Sequence, residues 1–106
     1  MSESLILYGN LLGGSLPLSI GNLERSLQYL DISYNFFSGS IPEELYNLQL
    51  LTGLFLSSNQ FTGTLSDSLG DLEVIQDLWF DHNAMSGPIP ASIGNLLDLG
   101  KSHFFL

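Results

Sequence analysis

The amino-acid sequence predicts a solenoid, a coil of stacked turns in which each turn adds one short strand to a parallel sheet. Two observations carry this. Four asparagines, Asn10, Asn35, Asn59 and Asn83, stand 25, 24 and 24 residues apart (35 − 10, 59 − 35, 83 − 59). Around each of them the same residue types recur at the same offsets, and such self-similarity at a fixed period marks a repeat architecture.

Each unit opens as a strand. Apolar residues lie three, five and eight positions before the asparagine: Phe80, Leu78 and Ile75 before Asn83, Leu56, Leu54 and Leu51 before Asn59, Ile32, Leu30 and Leu27 before Asn35. Asn10 keeps Leu7 and Leu5. Alternation at period two predicts a strand with one buried side. After the asparagine come an apolar residue (Leu12, Phe37, Phe61, Met85), a glycine (Gly14, Gly39, Gly63, Gly87) and an aliphatic residue (Leu16, Ile41, Leu65, Ile89), at offsets of two, four and six. The glycines suit positions where chains crowd or φ must be positive.

Pro17, Pro42 and Pro90 then stiffen the start of a return segment. Its apolar residues are three apart: Ile20 and Leu23, Leu45 and Leu48, Leu69 and Leu72, Ile93 and Leu96. That spacing suits one turn of 3₁₀ or irregular helix. Such units can bury their faces only against one another, which predicts a right-handed coil. The repeats run about 2–26, 27–50, 51–74 and 75–98, with a partial fifth at 99–106, and residues 1–106 read as a single domain. The extra residue of the first spacing is expected near Arg25 and Ser26, in the first connection. Ser66 replaces the expected proline and predicts a looser return segment there. Pro88 removes an N–H beside Gly87. In the fifth unit Leu99 and Phe104 keep the pattern, whereas Ser102 breaks it.

Composition excludes several classes of function. Apolar residues at 44% and charged residues at 12% describe a chain that buries a core. Two basic residues, Arg25 and Lys101, stand against eleven acidic ones, for a net charge of −9. Such a surface has nothing with which to neutralise nucleic-acid phosphates or anionic membranes. The chain has no cysteine, so disulfides, thiolate metal sites and cysteine nucleophiles are excluded, with no bearing on compartment. The opening "MSESLILYGN" lacks the basic region of a signal peptide, and no stretch nears the roughly 20 apolar residues of a membrane span.

The pattern L-x-x-L-x-L-x-x-N-x-L-x-G-x-I-P-x-x-L-x-x-L closely resembles the plant-type leucine-rich repeat of receptor-like kinases, receptor-like proteins and polygalacturonase inhibitors. "LDISYNFFSGSIPEELYNL" and "LTGLFLSSNQFTGTLSDSLGDL" carry it nearly position for position, and the resemblance covers residues 5 to about 99. It implies a leucine-rich-repeat solenoid of the α/β class, with a short parallel sheet on the concave side and 3₁₀ or irregular segments on the convex side. It implies that the asparagines form an internal column, each bonding backbone groups of its own and neighbouring coils. It also implies binding without catalysis, in an extracellular or cell-surface setting. Members usually carry cysteine-paired caps at both ends. Their absence here reads as a fragment of something longer. No N-glycosylation sequon occurs.

Strand alternation turns the residues six, four and two before each asparagine away from the core. In the family these positions, with the one just before the asparagine, line the concave face and meet the ligand. The rows are Ser4, Ile6, Tyr8, Gly9; Tyr29, Asp31, Ser33, Tyr34; Gly53, Phe55, Ser57, Ser58; and Asp77, Trp79, Asp81, His82. Aromatic residues gathered on a solvent face are the usual material of a binding hot spot. Tyr8, Tyr29, Tyr34, Phe55 and Trp79 are therefore expected to touch a ligand, with Phe55 and Trp79 direct neighbours. Asp31, Asp77, Asp81 and His82 join them, and the carboxylates favour a basic protein or peptide. The plainer alternatives are that the aromatics shield leucines beneath and that the acids only solvate the sheet.

Asp81 and His82 invite a catalytic reading, but a triad needs a base within reach of a nucleophile and a third group to orient it. Side chains adjacent in an extended strand diverge, and His103 lies in a tail that departs from the repeat. Asp77 and Asp81 are too far apart along one strand for paired-carboxylate hydrolysis. No metal-ligand spacing and no phosphate-cradling glycine loop occurs, so no cofactor or metal is expected. Two alternatives to peptide recognition stand: a hydrolase inhibitor of the polygalacturonase type, expected to carry more basic residues on its concave face, and a structural segment with no ligand of its own.

Overall fold

The computed structural model describes residues 3–23 and 25–103. Two parallel sheets wind together. One has five strands in the order β1 (Glu3–Ile6), β3 (Leu27–Asp31), β5 (Gly53–Phe55), β7 (Asp77–Trp79), β8 (Lys101–His103). The other has three, β2 (Gly13–Ser15), β4 (Phe36–Ser40) and β6 (Gln60–Thr62). Each coil closes through a five-residue 3₁₀ turn: η1 (Leu18–Asn22), η2 (Glu43–Asn47), η3 (Asp67–Asp71) and η4 (Ala91–Asn95).

The core is the apolar repeat itself. Leu30, Leu54 and Leu78 pair in register between coils and are fully buried, as are Leu45, Leu48, Leu51, Leu69, Leu72 and Ile75 from the return segments. Phe37 and Phe61 stack with ring centres 6.3 Å apart, filling the space between the two sheets' strands in adjacent coils. The offset of Phe37 and Phe61 is less protected in the first coil, where Leu12 is 38% exposed, because a residue there has a neighbouring coil on one side only.

The asparagine column forms. Asn35 donates through Nδ2 to the carbonyls of Leu7, Ile32 and Ser33, and its Oδ1 accepts from the backbone N–H of Asn10 and Leu12. Asn59 bonds Ile32, Leu56 and Ser57 carbonyls and the Phe37 N–H. Asn83 bonds Leu56, Phe80 and Asp81 carbonyls and the Phe61 N–H. Each amide so ties two successive coils together and satisfies groups that burial would leave unpaired. The glycine four residues on has φ of 80°, 77°, 84° and 83° at Gly14, Gly39, Gly63 and Gly87, a left-handed turn that an L side chain resists.

The extra residue of the first spacing falls in the connection from η1 to β3, as expected: η1 and η2 start 25 residues apart (43 − 18), whereas Tyr29 and its partner Gly53 stand 24 apart (53 − 29), and Leu23 closes its turn with ψ of 163° against 69° at Leu48. The pairing of β1 with β3 also shifts between Glu3 and Ser4, opposite Leu27 and Tyr29. One local expectation is corrected. Ser66 does not loosen its segment. Its φ of −84° and ψ of 150° resemble the prolines' values, and its hydroxyl accepts from Ser68 N at 3.0 Å, a cap hydrogen bond that proline cannot supply. The second sheet is regular across three coils. In the fourth its ladder persists only as Ala84 N to Phe61 O and Ser86 N to Gly63 O, at 2.8 and 2.9 Å, and stops before Pro88. Phe104 lies outside the described residues.

One seam between the 3₁₀ turns differs from the others. A Cβ on Gly21 would meet the Glu44 carbonyl at 2.5 Å, and one on Gly70 would meet Ser92 Cβ at 2.7 Å, so both turns rest directly on the next. The equivalent residue of the second coil is Tyr46, which is 2% exposed and lies beside Ser68 and Asp71 of the third. Burial, with Glu43 adding to it, raises the Tyr46 phenol well above the ordinary tyrosine range.

Candidate functional site

Strand pairing lays out the outward rows. Ser4, Tyr29, Gly53 and Asp77 are successive partners in one row, and Ile6, Asp31, Phe55 and Trp79 in the next. Past the strand ends, backbone bonds from Gly9 N to Ser33 O, Tyr34 N to Ser57 O and Ser58 N to Asp81 O, each 3.0 to 3.1 Å, keep Tyr8, Ser33, Ser57 and Asp81 in a third row.

The residue before each asparagine is left-handed, with φ of 71° at Gly9, 56° at Tyr34, 58° at Ser58 and 57° at His82. This turns the chain out of the strand and into the asparagine turn. It also corrects the expectation that Asp81 and His82 diverge. With His82 left-handed, its Nε2 lies 3.5 Å from Asp81 Oδ2.

Aromatic rings run diagonally across the rows. The Tyr29 and Phe55 rings have centres 5.0 Å apart, Phe55 and Trp79 are stacked at 6.3 Å, and Tyr8 and Tyr34 meet at 5.1 Å. Gly53 makes the first of these contacts possible, since a Cβ there would come within 2.8 Å of the Phe55 ring and 2.9 Å of the Tyr29 ring. Tyr29 is held neutral to higher pH than an ordinary tyrosine, first by burial and then by the negative charges of Asp31 and Asp77.

Tyr8, Tyr34, Phe55 and Trp79 wall a recess of about 390 Å³, together with Asp31, Asp81, Ser33, Ser57 and His82. Tyr29 and Asp77 lie in the adjoining row, outside it. Its carboxylates are held in place. Asp31 Oδ1 accepts from the Ser33 hydroxyl and, at 3.0 Å, from Ser33 N, while Asp81 Oδ1 accepts from the Ser57 hydroxyl of the preceding coil. Asp81 is only 5% exposed, so its position in an outward row does not leave it in solvent. Ser33, Ser57 and Gly53 were readable in the rows by position, but the clamping and the clearance they provide depend on which residues face them in the next coil. Among the described residues, no group of three or more His, Asp or Glu is placed to hold a metal ion, and no helix is long and apolar enough to cross a membrane.

The family model for Leucine Rich Repeat matches residues 3–23, 26–48 and 50–72. The chain belongs to the leucine-rich repeat family. Its stacked coils are a leucine-rich-repeat solenoid of the kind found in plant receptor ectodomains. Over 54 residues it is 44% identical to the receptor kinase-like protein Xa21 of Oryza sativa subsp. japonica, a match covering 51% of this chain and 5% of that protein. Over 47 residues it is 47% identical to the LRR receptor-like serine/threonine-protein kinase EFR of Arabidopsis thaliana, covering 44% of this chain and 5% of EFR. The plant peptide hormone receptor RGFR1, solved in complex with RGF2, superposes with a TM-score of 0.89 at 38% identity, covering 92% of this chain and 15% of the receptor. The Arabidopsis receptor kinase HAESA, solved with the peptide hormone IDA and the co-receptor SERK1, gives 0.85 at 36% identity over 90% of this chain and 16% of HAESA. The leucine-rich repeats described here thus span a small part of each relative's length.

Proposed function

We propose that this leucine-rich-repeat chain recognises a protein or peptide, without catalysis, through the outward face of its five-stranded sheet, which is the concave face of the solenoid. Residues 1–106 act in this reading as one recognition domain of a receptor-like protein at the cell surface. The observation that carries the proposal is the aromatic band Tyr29–Phe55–Trp79, joined ring to ring across three coils beside the Tyr8–Tyr34 pair. Half-buried rings on an open face give large contact area at low entropic cost. The peptide hormone receptor RGFR1 was solved with RGF2 and HAESA with the peptide hormone IDA, which supports a peptide here. Asp31, Asp77, Asp81 and the net charge of −9 favour a basic one.

The test is selection of a randomised peptide library against the purified chain, followed by binding of the winners to Phe55→Ala and Trp79→Ala. Loss of binding in both variants, with melting temperature held, is the expected result. Winners that bind the variants as well as the parent would defeat the proposal.

A further inference from the structure

We infer that the recess between Phe55, Trp79, Tyr8 and Tyr34 is a subsite for one arginine side chain of the peptide; this rests on the recognition reading above and adds the chemistry of what enters. The recess is lined by four aromatic rings and two carboxylates, Asp31 and Asp81, the latter beside His82, and none of the residues around it is Lys or Arg. Asp31 Oδ1 is occupied by Ser33, and Oδ2 accepts no hydrogen bond among the described residues. An apolar side chain seated here would strip water from that carboxylate and return nothing to it. An anionic one would be repelled. A cation satisfies the free oxygen and is attracted to the ring faces as well.

Among cations, the guanidinium fits better than an ammonium. It is planar, stacks on aromatic rings, sheds water more easily and donates in a fixed fork. The site is also built before the ligand arrives. Serines of the second and third coils fix the orientation of both carboxylates, and Gly53 lets the Phe55 ring lie where it meets Trp79. A pre-set site avoids the entropy of ordering its own side chains on binding.

Trp79 is the chain's single tryptophan, so its emission reports directly on the recess. The experiment titrates the intact chain with N-acetyl-arginine amide, its lysine counterpart and its citrulline counterpart, which has nearly the shape of arginine without the charge. Saturable change with arginine, weaker change with lysine and none with citrulline is expected. Asp31→Asn, which keeps an acceptor for Ser33, should weaken arginine binding about tenfold with melting temperature unchanged. Citrulline or lysine binding as well as arginine, no saturable response at all, or full binding by Asp31→Asn would overturn the inference. Failure here is separable from failure of the wider reading. Library peptides that need Phe55 and Trp79 but bind equally after arginine-to-citrulline exchange would leave recognition standing and remove the arginine subsite alone.

Discussion

The asparagine column and the outward row that precedes it are two residues apart in the chain and obey opposite rules. The column repeats one residue four times, and the amides of Asn35, Asn59 and Asn83 each face the same set of backbone groups supplied by their own and the preceding coil. The row changes at every coil, from Tyr8 to Ser33, Ser57 and Asp81, because the winding asks nothing of it beyond pointing outward. Framework and recognition are therefore interleaved residue by residue without sharing side chains. Ser33, Ser57 and Asp81 stand at the boundary, in the outward row yet buried, with Ser33 bonded to Asp31 and Ser57 to Asp81.

The largest effect expected follows from the column. Asn59→Ala leaves the carbonyls of Ile32, Leu56 and Ser57 and the N–H of Phe37 without this partner in a dry interior. The cost should be about 3 kcal/mol by chemical denaturation. Asn10→Ala, at an exposed position where Nδ2 reaches only Leu7 and Tyr8 carbonyls, should cost about 1 kcal/mol or less. Equal costs would show that the column works coil by coil and not as a bridge between coils.

The seams between 3₁₀ turns extend the contrast to the other side of the coil. Gly70→Ala forces a Cβ to 2.7 Å from Ser92 Cβ and should destabilise by about 2 kcal/mol, whereas Gly94→Ala meets nothing within 4 Å and should be close to neutral. Melting temperatures of the two variants check this directly.

Tyr46 makes the seam between η2 and η3 pH-sensitive. Its raised folded-state pKa means that, above the ordinary tyrosine value of 10.0, the unfolded chain releases a proton that the folded chain keeps. The stability from this linkage is fully present below that pH and is lost as pH rises beyond it. Tyr29 adds in the same direction, through burial first and the Asp31 and Asp77 charges second. Denaturation midpoints should fall on the alkaline side, and Tyr46→Phe should flatten most of that fall. An unchanged slope in Tyr46→Phe would assign it elsewhere.

How much of this was legible in the sequence follows the same division. Period, strand, asparagine column and return turn could be read because each repeats, and repetition is itself the constraint that stacking imposes. The direct contact of Phe55 with Trp79 followed from equal offsets in adjacent coils. The Asp81–His82 approach could not be read, since it depends on a left-handed residue at a position that alternation treats as extended strand. Nor could the register shift between Glu3 and Ser4, since it depends on how the start of β1 meets Leu27 and Tyr29 of the next coil. The burial of Asp81 needed a hydroxyl from another coil at the right row, a coincidence that no single repeat contains.

A small stability effect is the most informative about the face. Gly53→Ala places a Cβ 2.8 Å from Phe55 Cε2 and 2.9 Å from Tyr29 Cδ2 and Cε2. These are ring atoms of half-buried side chains that can swing aside, so the cost should stay within about 1 kcal/mol. Yet the two rings can no longer meet at 5.0 Å, and Phe55 must shift against Trp79. Trp79 emission should therefore change, and affinity for library peptides should drop, with little change in melting temperature. Phe55→Ala removes the ring, whereas Gly53→Ala keeps every ring and alters only where they lie. If binding survives Gly53→Ala and fails in Phe55→Ala, the ring's presence matters and its placement does not. If both lose affinity alike, the glycine is a positioning residue for the site, and a residue with no side chain sets the shape of a surface made from its neighbours' rings.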